Sequence, residues 1–115
     1  MKITILDSST LGEDISLDAI TKIGDTDVYE NTSQSEIKDR IKDCNVVVLN
    51  KMKLGCEELS AAQKLKLICV TATGYDNVDV KYCRENGIAV CNVVGYSTDS
   101  VCLLTVSMAL SLAVR

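Results

Sequence analysis

Five short apolar runs, each divided from the next by a stretch with helical spacing or a capping signal, constrain this chain more than any other feature. The run Lys2-Ile3-Thr4-Ile5-Leu6 reads as a strand that ends at Asp7-Ser8-Ser9, and Asp27-Val28-Tyr29 reads as a second. Asn45-Val46-Val47-Val48-Leu49 is continuously apolar after its first residue, as in a strand covered on both faces. Leu65 to Val70 makes a fourth strand and Ile88 to Cys91 a fifth. Between them, Ile15, Leu17, Ile20 and Ile23 recur at helical spacing, with Asp14 or Ser16 able to cap the start and Gly24 placed as a stop. Ser33 or Ser35 opens a second helix, whose Ile37 and Ile41 lie four apart on one face. Glu57 to Lys64 makes a third, and Asn77 or Asp79 caps a fourth that runs through Tyr82 and Cys83 to Gly87.

Parallel neighbours need crossover connections, and crossovers are right-handed, so strict alternation of strand and helix predicts an α/β fold. The expected architecture is an open, flavodoxin-like sheet of five parallel strands with helices on both faces. At 115 residues there is material for one such domain and no second. The last segment departs from the pattern: residues 100–114 carry no charge, Ser97-Thr98-Asp99 offer caps before them, and Arg115 closes them. As a helix they would extend about 22 Å and be apolar nearly all round, yet fall short of the roughly 20 residues that a membrane span needs. The domain's own sheet is expected to cover part of this helix, and a missing domain, a partner subunit or both to cover the rest.

Composition removes several functional classes. A net charge of −4 with no basic cluster argues against a nucleic-acid surface and against an anionic membrane. With four Tyr, no Phe and no Trp, base stacking has little to work with. There is no histidine and no GxGxxG, so the common neutral-pH proton carrier and the usual dinucleotide fingerprint are both absent. The six cysteines contain no CxxC and follow no apolar leader, so they read as reduced thiols of a cytoplasmic chain with no metal site. Cys69 and Cys91 fall inside strands and Cys102 inside the apolar helix, where a free thiol behaves as a small hydrophobe.

Ligands of an open parallel sheet sit beyond the carboxyl ends of its strands. Two such ends carry suitable residues: Asn50-Lys51-Met52-Lys53 after strand three and Thr71-Ala72-Thr73-Gly74 after strand four. The second turn is built of small residues, so its N–H groups can approach a ligand closely, just ahead of a helix N-terminus that favours negative charge. Lys51 adds a cation on the neighbouring loop, and a small carboxylate fits the pair. These residues equally allow a plainer reading, in which Gly74 only makes a tight turn and Asp76 and Asn77 only cap a helix.

From about Val46 onward the chain resembles the N-terminal, substrate-binding domain of the D-isomer-specific 2-hydroxyacid dehydrogenases. The family turn reads roughly Gly-Val-Gly-x-Asp-Asn-Ile-Asp, and Ala72-Thr73-Gly74-Tyr75-Asp76-Asn77-Val78-Asp79 matches it with Ala and Thr at its first two positions. The Ala-Thr-Gly form and the Asn50-Lys51 loop are most similar to the glycerate dehydrogenase and hydroxypyruvate reductase branch. The resemblance implies that the amides of Thr73 and Gly74 hold the carboxylate of a small 2-hydroxy or 2-keto acid, with Asn50 and Lys51 lining the cleft. It implies residues 1–94 as the substrate-binding domain and 95–115 as the hinge and first helix leading to a NAD-binding domain, with Cys91 to Thr98 matching the crossing. NAD or NADP would then bind in the complete enzyme and not on this chain. A homodimer would form through the helix 97–115.

Two departures from the family pattern stand out. Val94 replaces a usual proline, which frees the hinge backbone, and Leu103 and Leu104 replace a usual polar pair. The family's catalytic Arg, Glu and His belong to the domain that would follow, so no catalytic residue is assigned and the chain alone is expected to be inactive. The alternative is a self-standing, non-catalytic module that binds a small carboxylate or dimerises through the apolar helix. A phosphoacceptor of the same fold would need Asp after strand three and Lys after strand five, where Asn50 and Asn92 stand.

Overall fold

Hydrogen-bonded pairing sets the architecture in the computed structural model, which describes residues 1–114. Strands β1 (Lys2–Ile5), β2 (Asp25–Val28), β3 (Val46–Leu49), β4 (Leu67–Val70) and β5 (Ala89–Asn92) form one sheet in the order β2-β1-β3-β4-β5. Every pair is parallel, with Ile3 opposite Val46, Val48 opposite Cys69, and Cys69 opposite Cys91. This is the expected five-stranded α/β sheet. Helices α1 (Asp18–Thr21), α2 (Ile37–Ile41), α3 (Cys56–Leu59), α4 (Val80–Glu85) and α5 (Thr98–Ala113) complete the order.

Alternating strand residues split the core in two. One face packs Val47, Leu49, Ile68 and Val70 against Ile37 and Ile41 of α2, Leu59 of α3 and Cys83 of α4. The other gathers Ile3, Ile5 and Val48 against Leu17, Ile20, Val46 and Cys69, beneath α1. That second face thins out toward β5, where Ala89 and Cys91 are exposed. A parallel sheet is normally covered on both faces, so the β4–β5 end stands partly bare.

The first helix departs most from expectation. It spans a single turn, Leu17 stands at its N-cap, and Ile15 and Ile23 are 53% and 64% exposed. Ser16 does accept the Asp18 N–H at 3.2 Å, while Asp14 makes no cap. Gly24 is needed less as a stop than for closeness, because a Cβ there would lie 2.4 Å from the Met1 carbonyl oxygen. Since Lys2 pairs with Asp25, β2 begins two residues earlier than the apolar pattern suggests. Ser33 does open the second helical segment: a 3-10 turn at Gln34–Glu36 leads into α2, with Ser33 and Glu36 closing a capping box. Helix α3 is also shorter than expected, and its last turn ends where Ser60 Oγ donates to the Glu57 carbonyl at 2.9 Å.

Helix α5 runs close to its expected span, but the described residues give it no cover. None of its residues is buried, and Leu103, Leu104, Met108, Leu110 and Leu112 are each at least 60% exposed. Its polar side chains do little to relieve this, since Thr105, Ser107 and Ser111 each donate to the carbonyl four residues back at 2.8 Å. The expectation that the sheet covers part of this helix is therefore corrected. Ser97 stands at its N-cap without a side-chain hydrogen bond, so the caps expected there are not formed.

Candidate functional site

The carboxyl ends of β1, β3 and β4 meet at one edge, and side chains of three short polar residues fix the loops there. Asp7, two residues beyond the end of β1, is 5% exposed. Its carboxylate accepts the Asn50 N–H at 2.9 and 3.0 Å and the Lys51 N–H at 2.7 Å. Strand order changes direction between β1 and β3, with β2 added on one side of β1 and β3 on the other, so this is the switch-point crevice in which open α/β sheets usually take a ligand. Here the protein's own Asp7 carboxylate stands in it, and the open cleft lies further along, between the loops after β3 and β4.

Asn77 ties those two loops together. Rather than capping α4, its Nδ2 donates to the carbonyls of Asn50 at 3.0 Å and Met52 at 2.8 Å. Asp79 is the cap, accepting the Tyr82 N–H at 2.9 Å. Helix α4 thus begins six residues beyond Gly74, with its N-terminus already matched to a carboxylate, and the idea that its dipole serves the small-residue turn is corrected. On the far side Asn92 Nδ2 donates to the Thr73 carbonyl at 2.7 Å, and the Val93 N–H donates to the Ala72 carbonyl at 3.0 Å. The Ala72 and Thr73 carbonyls are thus engaged. The turn's Thr73 and Gly74 N–H groups donate to no acceptor among the described residues.

A cleft of about 290 Å³ lies between the loops, lined by Asn50, Lys51, Ala72, Gly74, Asp76 and Asn77. Three of the four residues singled out from the sequence, Asn50, Lys51 and Gly74, share its wall, while Thr73 is exposed beside it. Lys51 brings a positive charge and Asp76 an opposing one. Asn50 Oδ1 is buried with no hydrogen-bond partner, which leaves one polar atom of the cleft floor unmatched. A larger hollow of about 400 Å³ lies near the Ser8–Leu17 loop, but Glu13 and Glu30 in its wall suit it poorly to an anion.

The anchoring roles of Asp7, Asn77 and Asn92 are not evident in the sequence. The usable signal for Asp7 was its position, a short acid just beyond a central strand. Sequence adjacency pointed Asn77 to the helix behind it, whereas its amide reaches back across the sheet edge.

The fold agrees with comparisons to known proteins. The family model for the D-isomer specific 2-hydroxyacid dehydrogenase catalytic domain matches residues 3–108, and the chain belongs to that family. It is 42% identical over 101 residues to a Haemophilus influenzae protein provisionally named a 2-hydroxyacid dehydrogenase, covering 88% of this chain and 32% of the relative. It is 32% identical over 116 residues to a hydroxypyruvate reductase of Blautia hydrogenotrophica, covering 97% of this chain and 36% of the relative. Among solved structures, D-lactate dehydrogenase of Aquifex aeolicus, complexed with NAD and lactic acid, superposes with a TM-score of 0.81 at 27% identity, covering 97% of this chain and 33% of that one. The chain thus spans about a third of the length of each of these three relatives.

Proposed function

We propose that this chain is the carboxylate-holding part of an NAD(P)-dependent oxidoreductase acting on small 2-hydroxy or 2-keto acids such as glycerate and hydroxypyruvate. The observation that carries the reading is the Ala72–Gly74 turn, where the Ala72 and Thr73 carbonyls are tied down while the Thr73 and Gly74 N–H groups have no acceptor among the described residues, with Lys51 on the facing loop. In this reading Thr73 and Gly74 bind the acid's carboxylate, Lys51 attracts it, and Asn50 and Asn77 shape the floor. The role in rate is orientation, holding the reacting carbon where the rest of the enzyme needs it.

The residues present do not fit a dinucleotide. The crevice at the switch point is occupied by the Asp7 carboxylate, whose charge opposes a pyrophosphate, and no glycine-rich fingerprint follows β1. No hydride step is therefore assigned to these residues, and cofactor binding belongs to the complete enzyme. Residues 1–94 would form the acid-binding domain, and 95–115 the passage to the cofactor domain, in a cytoplasmic protein whose free thiols suit a reducing compartment.

Hydrogen bonds from two amides to a charged ligand contribute about 1.5–3 kcal/mol each, against at least about 4 kcal/mol of lost rigid-body freedom, so binding is expected at millimolar concentration or weaker. The test is an amide-shift titration of this chain with glycerate, hydroxypyruvate and NADH. Saturable shifts at Thr73 and Gly74 with an acid and none with NADH support the reading. Silence to every acid up to tens of millimolar sinks it, and saturable NADH binding overturns the domain assignment. A second reading, dimerisation through helix 97–115, is favoured by the bare apolar surface of α5.

A further inference from the structure

The second face of the sheet carries a pair of thiols that acid binding does not use. Cys69 of β4 and Cys91 of β5 are register partners in parallel strands. Both therefore point to the same side. Cys69 packs among Ile3, Ile5 and Val48, whereas the neighbouring Val90 packs into the opposite core. Cys91 is exposed and Cys69 half-buried, at the end of the sheet that no helix covers among the described residues. Of the six cysteines, these alone stand opposite one another across paired strands: Cys44 and Cys83 are enclosed in the other core, Cys56 opens α3 and Cys102 lies on α5.

Adjacent strands lie about 4.8 Å apart, within the roughly 4.4–6.8 Å over which a disulfide joins two Cα atoms. Relaxed disulfides hold their Cβ atoms somewhat closer than that strand spacing, so a bond here would be easily reduced again. Cys91, being exposed, is the thiol that a reagent reaches first, while burial, and secondarily the neighbouring Cys91, push the half-buried Cys69 thiol above its ordinary value.

We propose that Cys69 and Cys91 form a redox-active dithiol that closes to an intrachain disulfide by exchange with a low-molecular-weight disulfide. The Cys91 thiolate attacks one sulfur of the reagent, whose S–S bond breaks and releases a thiolate that takes up the proton Cys91 lost. Cys69 then gives up its proton and attacks the Cys91 sulfur, forming the Cys69–Cys91 bond and releasing the second reagent thiol. Two protein thiols are oxidised and one external disulfide is reduced to two thiols.

The test treats the folded 115-residue chain, with Cys56→Ser and Cys102→Ser removing the other exposed thiols, with excess oxidised glutathione. The expected product has lost two hydrogens, joins tryptic peptides 67–81 and 85–115, and reverts with dithiothreitol. Adding Cys69→Ala should stop the reaction at a stable glutathione adduct on Cys91, and circular dichroism checks that each variant is folded. A glutathione adduct on Cys91 that Cys69 does not displace overturns the proposal. So does a folded chain that does not react, or one whose only disulfides join separate chains.

Discussion

At Asp7 one carboxylate, almost fully buried, accepts the N–H groups of two consecutive residues in the loop that carries Lys51. Replacing it by Ala strands those donors. Asp7→Ala is expected to lower unfolding free energy by about 3 kcal/mol, and Asp7→Asn, which keeps one acceptor, by roughly half as much. Urea titration checks this, and a loss under about 1 kcal/mol for the alanine variant would mean that the loop is held by other contacts. Asp76 acts in the opposite sense, as a negative charge in the wall of a cleft proposed to take an acid. Asp76→Asn should tighten acid binding about two- to fivefold at low salt, with the gain shrinking as salt rises. That Asn50, Lys51 and Gly74 would share one edge was legible because small residues and a lysine fall after consecutive strands. The supports of that edge were not, since a hydrogen bond between residues 43 apart leaves no local trace.

Strands were legible as elements because burial on both faces demands continuous apolar runs, as at Val46 to Leu49. Their ends were less so, because register is set by pairing: β2 starts where Lys2 meets Asp25. Helical spacing misled at Ile15 and Ile23, which share the period without being buried. Gly87, with φ +67° and nothing near its would-be Cβ, isolates a backbone cost. Gly87→Ala should lose about 1 kcal/mol by conformation alone, while Gly24→Ala, driven into the Met1 carbonyl, should lose more and loosen the first strand. Thermal melts of the pair separate the two causes. The capping box at Ser33 adds a pH dependence: hydrogen bonds from the Ser33 hydroxyl and then its N–H hold the Glu36 carboxyl below its ordinary 4.5. The unfolded chain therefore takes up that proton first as pH falls. The contribution is whole above about 4.5 and fades as pH drops through the lower folded value, and exposure keeps it small and salt-sensitive. Ser33→Ala should flatten that part of a stability–pH curve.

Across the whole molecule, the sheet domain closes around its larger core while α5 projects from it, giving extents of 56 × 31 × 24 Å. Its exposed Leu and Val side chains are expected to draw chains together, giving sedimentation above one chain at tens of micromolar. The double change Leu104→Lys and Leu110→Lys should return a single-chain species without altering the sheet's melting. A species unchanged by those substitutions would place the contact elsewhere. Strand order carries a different consequence, for time. β1 is made before the other strands yet lies inside the sheet, between β2 and β3, and residues 46–48 supply one of its two partners. A ribosome adding about 5–20 residues each second leaves that side unpaired for roughly 2–9 seconds. For that interval Ile3 and Ile5 face the cell with only a polar edge strand beside them, so early synthesis is when this fold most needs a chaperone.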